Sequence, residues 1–522
     1  SGLRNWFLAG VQSNGVQFID GQGNTPQTGI NIFNVSPNAF GETGGSCETS
    51  VINPSVFMVS DVSGTMNRTN DFGESFSLDQ TFTQPNTNLS ITPFAKWESF
   101  HDYNSNTTVK FVADRTYYQG EEILCRSANQ GIPEGKGYPF FHVLEQDSLV
   151  AGDSIFVQDI VQNKFYIATH NAVYMTRDIL KFGVPIIWQN SIDARENLWK
   201  VVQTNGNFSK PSCMGLSADG NYLFVGTENG RIYRVGNILD ASDQESGDID
   251  SPFCVLSVSE LIPEEMVDRY ITSIAVDPQD PNHLIVTLGN YGNETYVYQS
   301  MNALAGVADI SFSDITGNLP YTPAYSSIIE MHDSDIALVG TELGIFSTQN
   351  LTSGSPEWTI DAEGIGKAMV VSMKQQTIYK AGFILENPDP TAEPLVYPSV
   401  NNYGDIYCAT FGRGVFRDGT FHQPVGVPEV YTPSRASQEI HVDVYPNPVQ
   451  QQANISFSLT ESQTVSVKLH DVSGKIVRHF ELSKRPEGNN NFSFDCNDLN
   501  SGVYILNVQA GNKSQNAKFI VK

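Results

Sequence analysis

The sequence predicts an all-β protein: a seven- or eight-bladed β-propeller followed by a small immunoglobulin-like β-sandwich. Three observations carry this. A strand–turn–strand unit recurs every ~45 to 70 residues, a spacing that suits four-stranded blades. The runs between turns are short, rich in β-branched and aromatic residues, and punctuated by Pro, Gly, Asn and Asp. Composition then changes near residue 422, where a Pro- and Val-rich stretch leads into a second, shorter set of strands.

In chain order the copies are Phe7–Gly10 with Gly15–Phe18, then Val56–Val59, Val109–Val112, and Phe165–Ala168 with Ala172–Tyr174. They continue with Leu223–Gly226 and Gly230–Tyr233, His283–Val286 and Thr295–Tyr298, Ala337–Gly340 and Gly344–Phe346, and Ile406–Ala409 with Gly414–Phe416. Within one unit, Ile271–Val276 reads as the inner strand, Asp277–Asn282 as a turn, and Phe312–Ile315 as the segment that closes the sheet. The first copy begins at what would be a second strand, and the last lacks an obvious fourth. Bare strand edges invite association, so either the termini complete each other or upstream sequence supplies the missing strand. Seven blades plus a remnant of an upstream propeller is the favoured count, with eight as the alternative. Residues 1–421 are read as propeller, 422–440 as an extended linker and 441–522 as the sandwich.

Fifty-seven Asp and Glu against thirty Lys and Arg give a net charge of −27. With no clustered basic charge to hold phosphates, nucleic acid is not an expected partner. A hydrophobic content of 40% argues against disorder, and no apolar run approaches the ~18 residues of a membrane-spanning helix. The opening Ser1–Leu8 lacks the features of a secretory signal, so the chain is expected to begin inside a longer precursor. Six scattered cysteines without CxxC spacing, and nine single histidines without HxxxH spacing, offer no metal site. The acidic run Asp243–Asp250 lacks EF-hand order. Neither a metal nor a cofactor is expected.

The run Thr69-Asn70-Asp71-Phe72-Gly73-Glu74-Ser75-Phe76 resembles the Asp box of sialidase-like and sortilin-like propellers, a structural hairpin between outer strands. Trp188 and Trp358 are expected at corresponding positions of other blades. Two stretches, Ser60-Asp61-Val62-Ser63-Gly64 and Tyr407–Phe416, resemble two-propeller xyloglucanases. That resemblance implies Asp61 as a general acid. It departs at Ser63, where the family prefers Gly, and an inverting glycosidase needs a second carboxylate ~6.5 to 9.5 Å away, which the family draws from its other propeller. Asp61 is therefore read first as a turn residue. No Phe-Arg-Ile-Pro segment is present to support sialidase chemistry.

The tail is more specific. Tyr445-Pro446-Asn447-Pro448, then Asp471-Val472-Ser473-Gly474-Lys475, then Leu499-Asn500-Ser501-Gly502-Val503-Tyr504 and a final Lys518-Phe519-Ile520-Val521-Lys522 occur in order. This order closely resembles the type A C-terminal sorting domain of the Bacteroidetes type IX secretion system. The resemblance implies export across the outer membrane, recognition by the translocon and an outer-membrane shuttle protein, and removal of the tail by a sortase-like peptidase. The cargo would then be released or attached to the cell surface. Pro446, Asn447, Pro448, Gly474, Lys475, Gly502, Tyr504, Lys518 and Lys522 are the residues expected to carry recognition. Asp147-Ser148-Leu149 and Asp153-Ser154-Ile155 resemble O-glycosylation sites of the same phylum, on Ser148 and Ser154.

Two classes follow for the propeller: a binding or surface module holding a glycan or a protein, favoured here, or half of a glycoside hydrolase with Asp61 as acid. Deleting residues 441–522 should leave a folded propeller trapped in the cell envelope. Cell fractionation reads this directly, and normal secretion of the truncated chain would refute the reading of the tail.

Overall fold

The computed structural model describes residues 6–10, 16–20, 44–61, 66–73, 76–79, 92–105, 107–128, 137–146, 148–182, 198–204, 209–241, 248–361, 364–385, 393–425, 429–431, 442–459, 462–472, 474–486, 488–511 and 513–522. Among them there is no α-helix. The chain divides into two compact units. One comprises Ser1–Val112, Leu124–His142 and Ser154–Thr432; the other comprises Ala113–Ile123, Val143–Asp153 and Pro433–Lys522.

Six antiparallel sheets, here A to F, follow one another along the first unit. Sheet A joins Gly44–Thr49, Phe57–Asp61, Met66–Thr69 and Ser77–Asp79. Sheet B joins Phe94–Ser99, Gln162–Ala168, Ala172–Thr176 and Leu198–Gln203. Sheet C joins Pro211–Leu216, Leu223–Thr227, Ile232–Gly236 and Ser257–Leu261. Sheet D joins Ile271–Val276, Leu284–Leu288, Val297–Ser300 and Ser313–Asp314. Sheet E joins Ala324–Ile329, Ala337–Thr341, Gly344–Thr348 and Thr359–Asp361. Sheet F has three strands, Val370–Gln375, Ile406–Thr410 and Gly414–Asp418.

From A to F, the first strand of each sheet lies beside the first strand of the next. Lys374 at the end of the F strand pairs with Glu48 in the A strand, which brings the series back to its start. That strand order is a β-propeller. The core lies between sheets: separate apolar clusters join B to C, C to D, D to E and E to F.

The second strands show why the sequence repeats. They end in a small residue followed by Thr: Ala168-Thr169, Gly226-Thr227, Gly340-Thr341 and Ala409-Thr410. A Cβ on Gly226 would meet Ile271 Cγ2 at 2.6 Å, and one on Gly340 would meet Val370 Cγ1 at 2.8 Å. The next sheet's first strand thus presses on this position and demands a small side chain. The threonine hydroxyl closes the hairpin, donating to Ala172 O at 3.1 Å, Arg231 O at 2.9 Å, Gly344 O at 3.1 Å and Gly414 O at 2.8 Å. A register shift also recurs near the start of the first strand in A, C, D, E and F.

Seven of the eight sequence copies correspond to these six sheets and to the hairpin Trp6–Gly10 with Val16–Asp20. The Val109–Val112 copy does not. It pairs with Ser154–Ile155 and beyond inside an insert between the first two strands of sheet B. The stretch read as linker contains a strand, Glu429–Tyr431, which pairs parallel to Phe383–Leu385 in a small sheet of the first unit.

In the second unit a three-stranded sheet of Val442–Tyr445, Gln452–Leu459 and Gly488–Asp495 joins a four-stranded one. The latter runs Ile476–Arg485, Gln463–Asp471, Gly502–Ala510, Lys513–Val521. One cluster including Phe457, Val467, Leu469, Leu506, Val508 and Phe519 fills the space between them, so the seven strands form the expected sandwich.

One polar network sits inside sheet D. His283 Nδ1 lies 2.8 Å from Asp277 Oδ2, its Nε2 lies 2.8 Å from Gln299 Nε2, and all three side chains are buried. Burial pushes the Asp277 carboxyl up, but hydrogen bonds from His283, Ser334 and Gln279 N outweigh it and hold the group below the usual range. His283→Ala should therefore cost about 2–4 kcal/mol, by leaving Asp277 buried without its partner. Because the folded pKa is depressed, the wild-type advantage should be present above the ordinary carboxylate pKa and shrink as pH falls through the folded value. Denaturant melts of both proteins from neutral to acid pH check the size and the sign.

Candidate functional site

The Pro-Asn-Pro segment closes the outer edge of the chain's last strand. Pro446 and Pro448 have no N–H to offer a ladder, so the Asn447 side chain takes that part. Its Oδ1 accepts from Ile520 N at 3.0 Å and its Nδ2 donates to Lys518 O at 3.4 Å. Backbone pairing then takes over: Val449 N donates to Ile520 O at 2.7 Å and Lys522 N donates to Val449 O at 2.9 Å. Residues 518, 520 and 522 are thereby satisfied in sequence along one edge. Val449 is fully buried and anchors the segment to the sandwich core. The Tyr445–Pro446 and Asn447–Pro448 peptides are both cis.

The other signature segments meet this strand at the same end of the sheet. His470 pairs with Ile505, which pairs with Lys518; Asp471 pairs with Tyr504, which pairs with Phe519; Gly502 pairs with Val521. The turn after Asp471 is closed by Gly474 N on Asp471 O at 2.9 Å and Lys475 N on Asp471 Oδ1 at 3.1 Å. Gly474 has φ 82°, which explains the glycine. Gly502 has no positive φ, and a Cβ there would meet only Asn500 O at 4.0 Å, so no backbone demand explains it. Pro446, Asn447, Pro448, Lys475, Lys518 and Lys522 are exposed. Tyr504 is not: its ring lies in the core against Phe519, and its hydroxyl donates to Asn500 O at 2.8 Å.

The sequence reading missed the apolar part of this surface. Val472, Ile476, Ile505 and Ile520 are exposed, with Ile476 and Ile505 flanking His470 in one cross-strand row. The available signal was a break in alternation, since Val503-Tyr504-Ile505-Leu506 is apolar on both faces. Charge also differs along the chain. Residues 443–522 carry eight Lys and Arg against seven Asp and Glu, whereas residues 1–442 carry twenty-two against fifty.

On the propeller, Asp61 ends the second strand of sheet A, opposite Gly44. That is the position held by Thr169, Thr227, Thr341 and Thr410 in sheets B, C, E and F. Residues 62–65, with Ser63, lie outside the described residues, as do Trp188, Asp147 and positions 243–247 of the acidic run. At the Thr69–Phe76 run, Thr69 Oγ1 donates to Asp71 Oδ1 at 2.5 Å and accepts from Gly73 N at 3.1 Å. Phe76 packs against Val16 and Val59. A Ser/Thr-x-Asp/Asn turn also follows the third strand in sheets B, D and E, at Thr176–Asp178, Ser300–Asn302 and Thr348–Asn350. Trp358 is buried in sheet E's cluster, with its indole N–H on Ile315 O at 2.9 Å.

A cavity of about 400 Å³ lies among the first strands, lined by residues including Glu48, Lys96, Met214, Lys374, Gln375 and Asn402. Its charges are paired, Lys374 with Glu48 and Lys96 with Glu98 at 2.6 Å. Nearby, burial pushes the Lys380 ammonium down to about 8, and the amine lies over the Phe100 and Tyr138 rings. Ser148 and Ser154 are exposed on the sheet B insert.

Residues 443–522 match the family model of the secretion system C-terminal sorting domain. The chain is therefore a type IX secretion cargo, exported to the cell surface or beyond. No curated protein matches it. Among solved structures, Sqt1 of Chaetomium thermophilum, bound to the N-terminus of ribosomal protein L10, is similar at 12% identity and a TM-score of 0.36, over 72% of this chain and 84% of that one. Sqt1 of Saccharomyces cerevisiae gives 11% and 0.34, over 80% and 99%. The β-propeller domain of Cps50 (Swd1) from Myceliophteria thermophila gives 8% and 0.28, over 66% and 94%. The propeller is defined by the strand order above, not by these likenesses.

Asn447→Ala should open the outer edge of the last strand at a cost of about 1–2 kcal/mol, read as faster amide hydrogen exchange at Ile520 and Lys522. Gly474→Ala should cost about 1 kcal/mol and Gly502→Ala almost nothing. Equal costs at the two glycines would contradict the turn assignment.

Proposed function

We propose that this protein works outside the cell as a binding or surface module, delivered there by its tail. The observation that carries the export half is the convergence of all signature segments on one end of one sheet. An outer-membrane shuttle protein would read this end: the clamped last strand, the exposed lysines and the apolar residues between them. A sortase-like peptidase would then cut between the strands Glu429–Tyr431 and Val442–Tyr445. Ser148 and Ser154, both exposed, are the proposed glycan acceptors.

For the propeller, the position of Asp61 favours binding over hydrolysis. Four sister sheets place a hairpin-closing threonine at this point, so the position is one that the repeat assigns to its turns. The turns recurring after the third strands support the Asp-box resemblance as a structural repeat without a catalytic role.

The test is release of reducing ends from xyloglucan and mixed-linkage β-glucan by the full chain beside Asp61→Asn. Neither protein should release any. Release by the wild type that disappears in the variant would replace this proposal with a glycoside hydrolase using Asp61 as its acid.

A further inference from the structure

Resting on the binding reading above, we propose a site for neutral hexopyranose glycans on the propeller face formed by sheets D and E, with Tyr291 and Tyr321 as its sugar-stacking residues. Tyr291 stands in the loop between the second and third strands of D. Tyr321 stands in the connection from D to E, and Glu342 in the second–third hairpin of E. In an up-and-down ring of sheets these three connections open on the same face.

The two rings are among the most exposed large side chains described, 69% for Tyr291 and 74% for Tyr321. Their surroundings are built rather than loose. Tyr291 OH and Tyr325 OH both donate to Glu342 Oε1, the latter at 3.3 Å, and Thr322 Oγ1 donates to Glu342 Oε2 at 3.1 Å. One carboxylate from sheet E thus fixes the Tyr291 ring by its hydroxyl and the chain beside Tyr321 by its neighbour.

The loop that carries Tyr291 is tied at both feet. Gly289 N donates to Tyr270 O at 2.8 Å, Tyr270 N donates to Asn290 Oδ1 at 2.6 Å, and Asn293 N donates to Tyr296 OH at 3.1 Å. Tyr291 sits between two left-handed residues, Asn290 at φ 66° and Gly292 at φ 86°. Asparagine and glycine are the residues that adopt this region readily, so the loop presents Tyr291 without backbone strain. A ring held by its polar tip with its faces free loses little freedom on binding a flat apolar surface, such as the C–H face of a pyranose.

Charge selects among glycans. With fifty acidic residues against twenty-two basic ones in residues 1–442, and Glu342 at the centre of the site, polyanions are repelled. Neutral chains are not, and their hydroxyls can use the polar rim of Asn293, Glu294 and Thr322.

Affinity electrophoresis of the full chain in gels containing xyloglucan, mixed-linkage β-glucan, galactomannan or polygalacturonate tests this. At least one neutral polysaccharide should retard the wild type, and polygalacturonate should not. The Tyr291→Ala/Tyr321→Ala double variant should lose about tenfold or more in apparent affinity, whereas Tyr291→Phe, which keeps the ring, should lose clearly less. Unchanged thermal midpoints exclude unfolding as the cause. If the double variant binds as well as the wild type, this site is wrong while glycan binding stands. If no neutral gel retards the wild type, or polygalacturonate retards it more, the neutral-glycan assignment is overturned, and the reducing-end assay still decides separately between binding module and hydrolase.

Discussion

An unpaired strand edge invites association, and the structure of the last strand follows from the covering of its own outer edge. Lys513–Val521 pairs with Gly502–Ala510 on one side. On the other side the chain offers two prolines, which cannot donate, and the asparagine between them supplies a side-chain amide in place of a backbone one. The three signature segments therefore share a structural task. The asparagine clamp, the Asp471–Lys475 turn and the start of the Gly502 strand all fix the geometry of the same few terminal residues, beside which Lys475, Lys518, Lys522, the Pro-Asn-Pro side chains and several apolar ones are exposed.

The propeller meets the same constraint by repetition. Its fourth strands in D and E are only two and three residues long, which leaves little edge exposed there, whereas those of B and C run to six and five. Between sheets, the pressure of one first strand on the neighbour's second strand selects glycine or alanine, and the hairpin beyond selects threonine. A sheet with Asp61 in the threonine's place keeps the pattern of a small residue followed by an oxygen-bearing one. The loops are where the sheets depart from the pattern. The second–third connection of sheet D is the clearest, because it replaces the tight threonine turn with a longer loop that lifts Tyr291 into solvent.

Much of this was legible in the sequence, for physical reasons. Hairpins are local, so pairs such as Leu223–Gly226 with Gly230–Tyr233 announce themselves through a turn and two apolar runs, and the inner strand Ile271–Val276 and its turn were readable in the same way. Val109–Val112 shows where local reading stops. It has the right composition, but its partner lies more than forty residues away in an insert, and nothing nearby marks the difference. The burial of Tyr504 is hidden from local reading for a related reason. Its neighbours look like surface signature, yet its burial depends on Phe519 from the adjoining strand. Asn447 was found as a motif without its task, because the carbonyl and amide it serves are more than seventy residues further on. The Tyr291–Glu342 pairing joins two sheets and leaves no trace in either local sequence.

The central claim is that the Asn447 clamp on the last strand makes the exported tail readable. Its most direct test is the amount of full-length Asn447→Ala protein that reaches the medium or cell surface of a type IX-competent host, measured against wild type at equal expression. A fall of about fivefold or more, the equivalent of losing about 1 kcal/mol, is the predicted result. Undiminished export, with the outer edge of the last strand shown to be open, would contradict it.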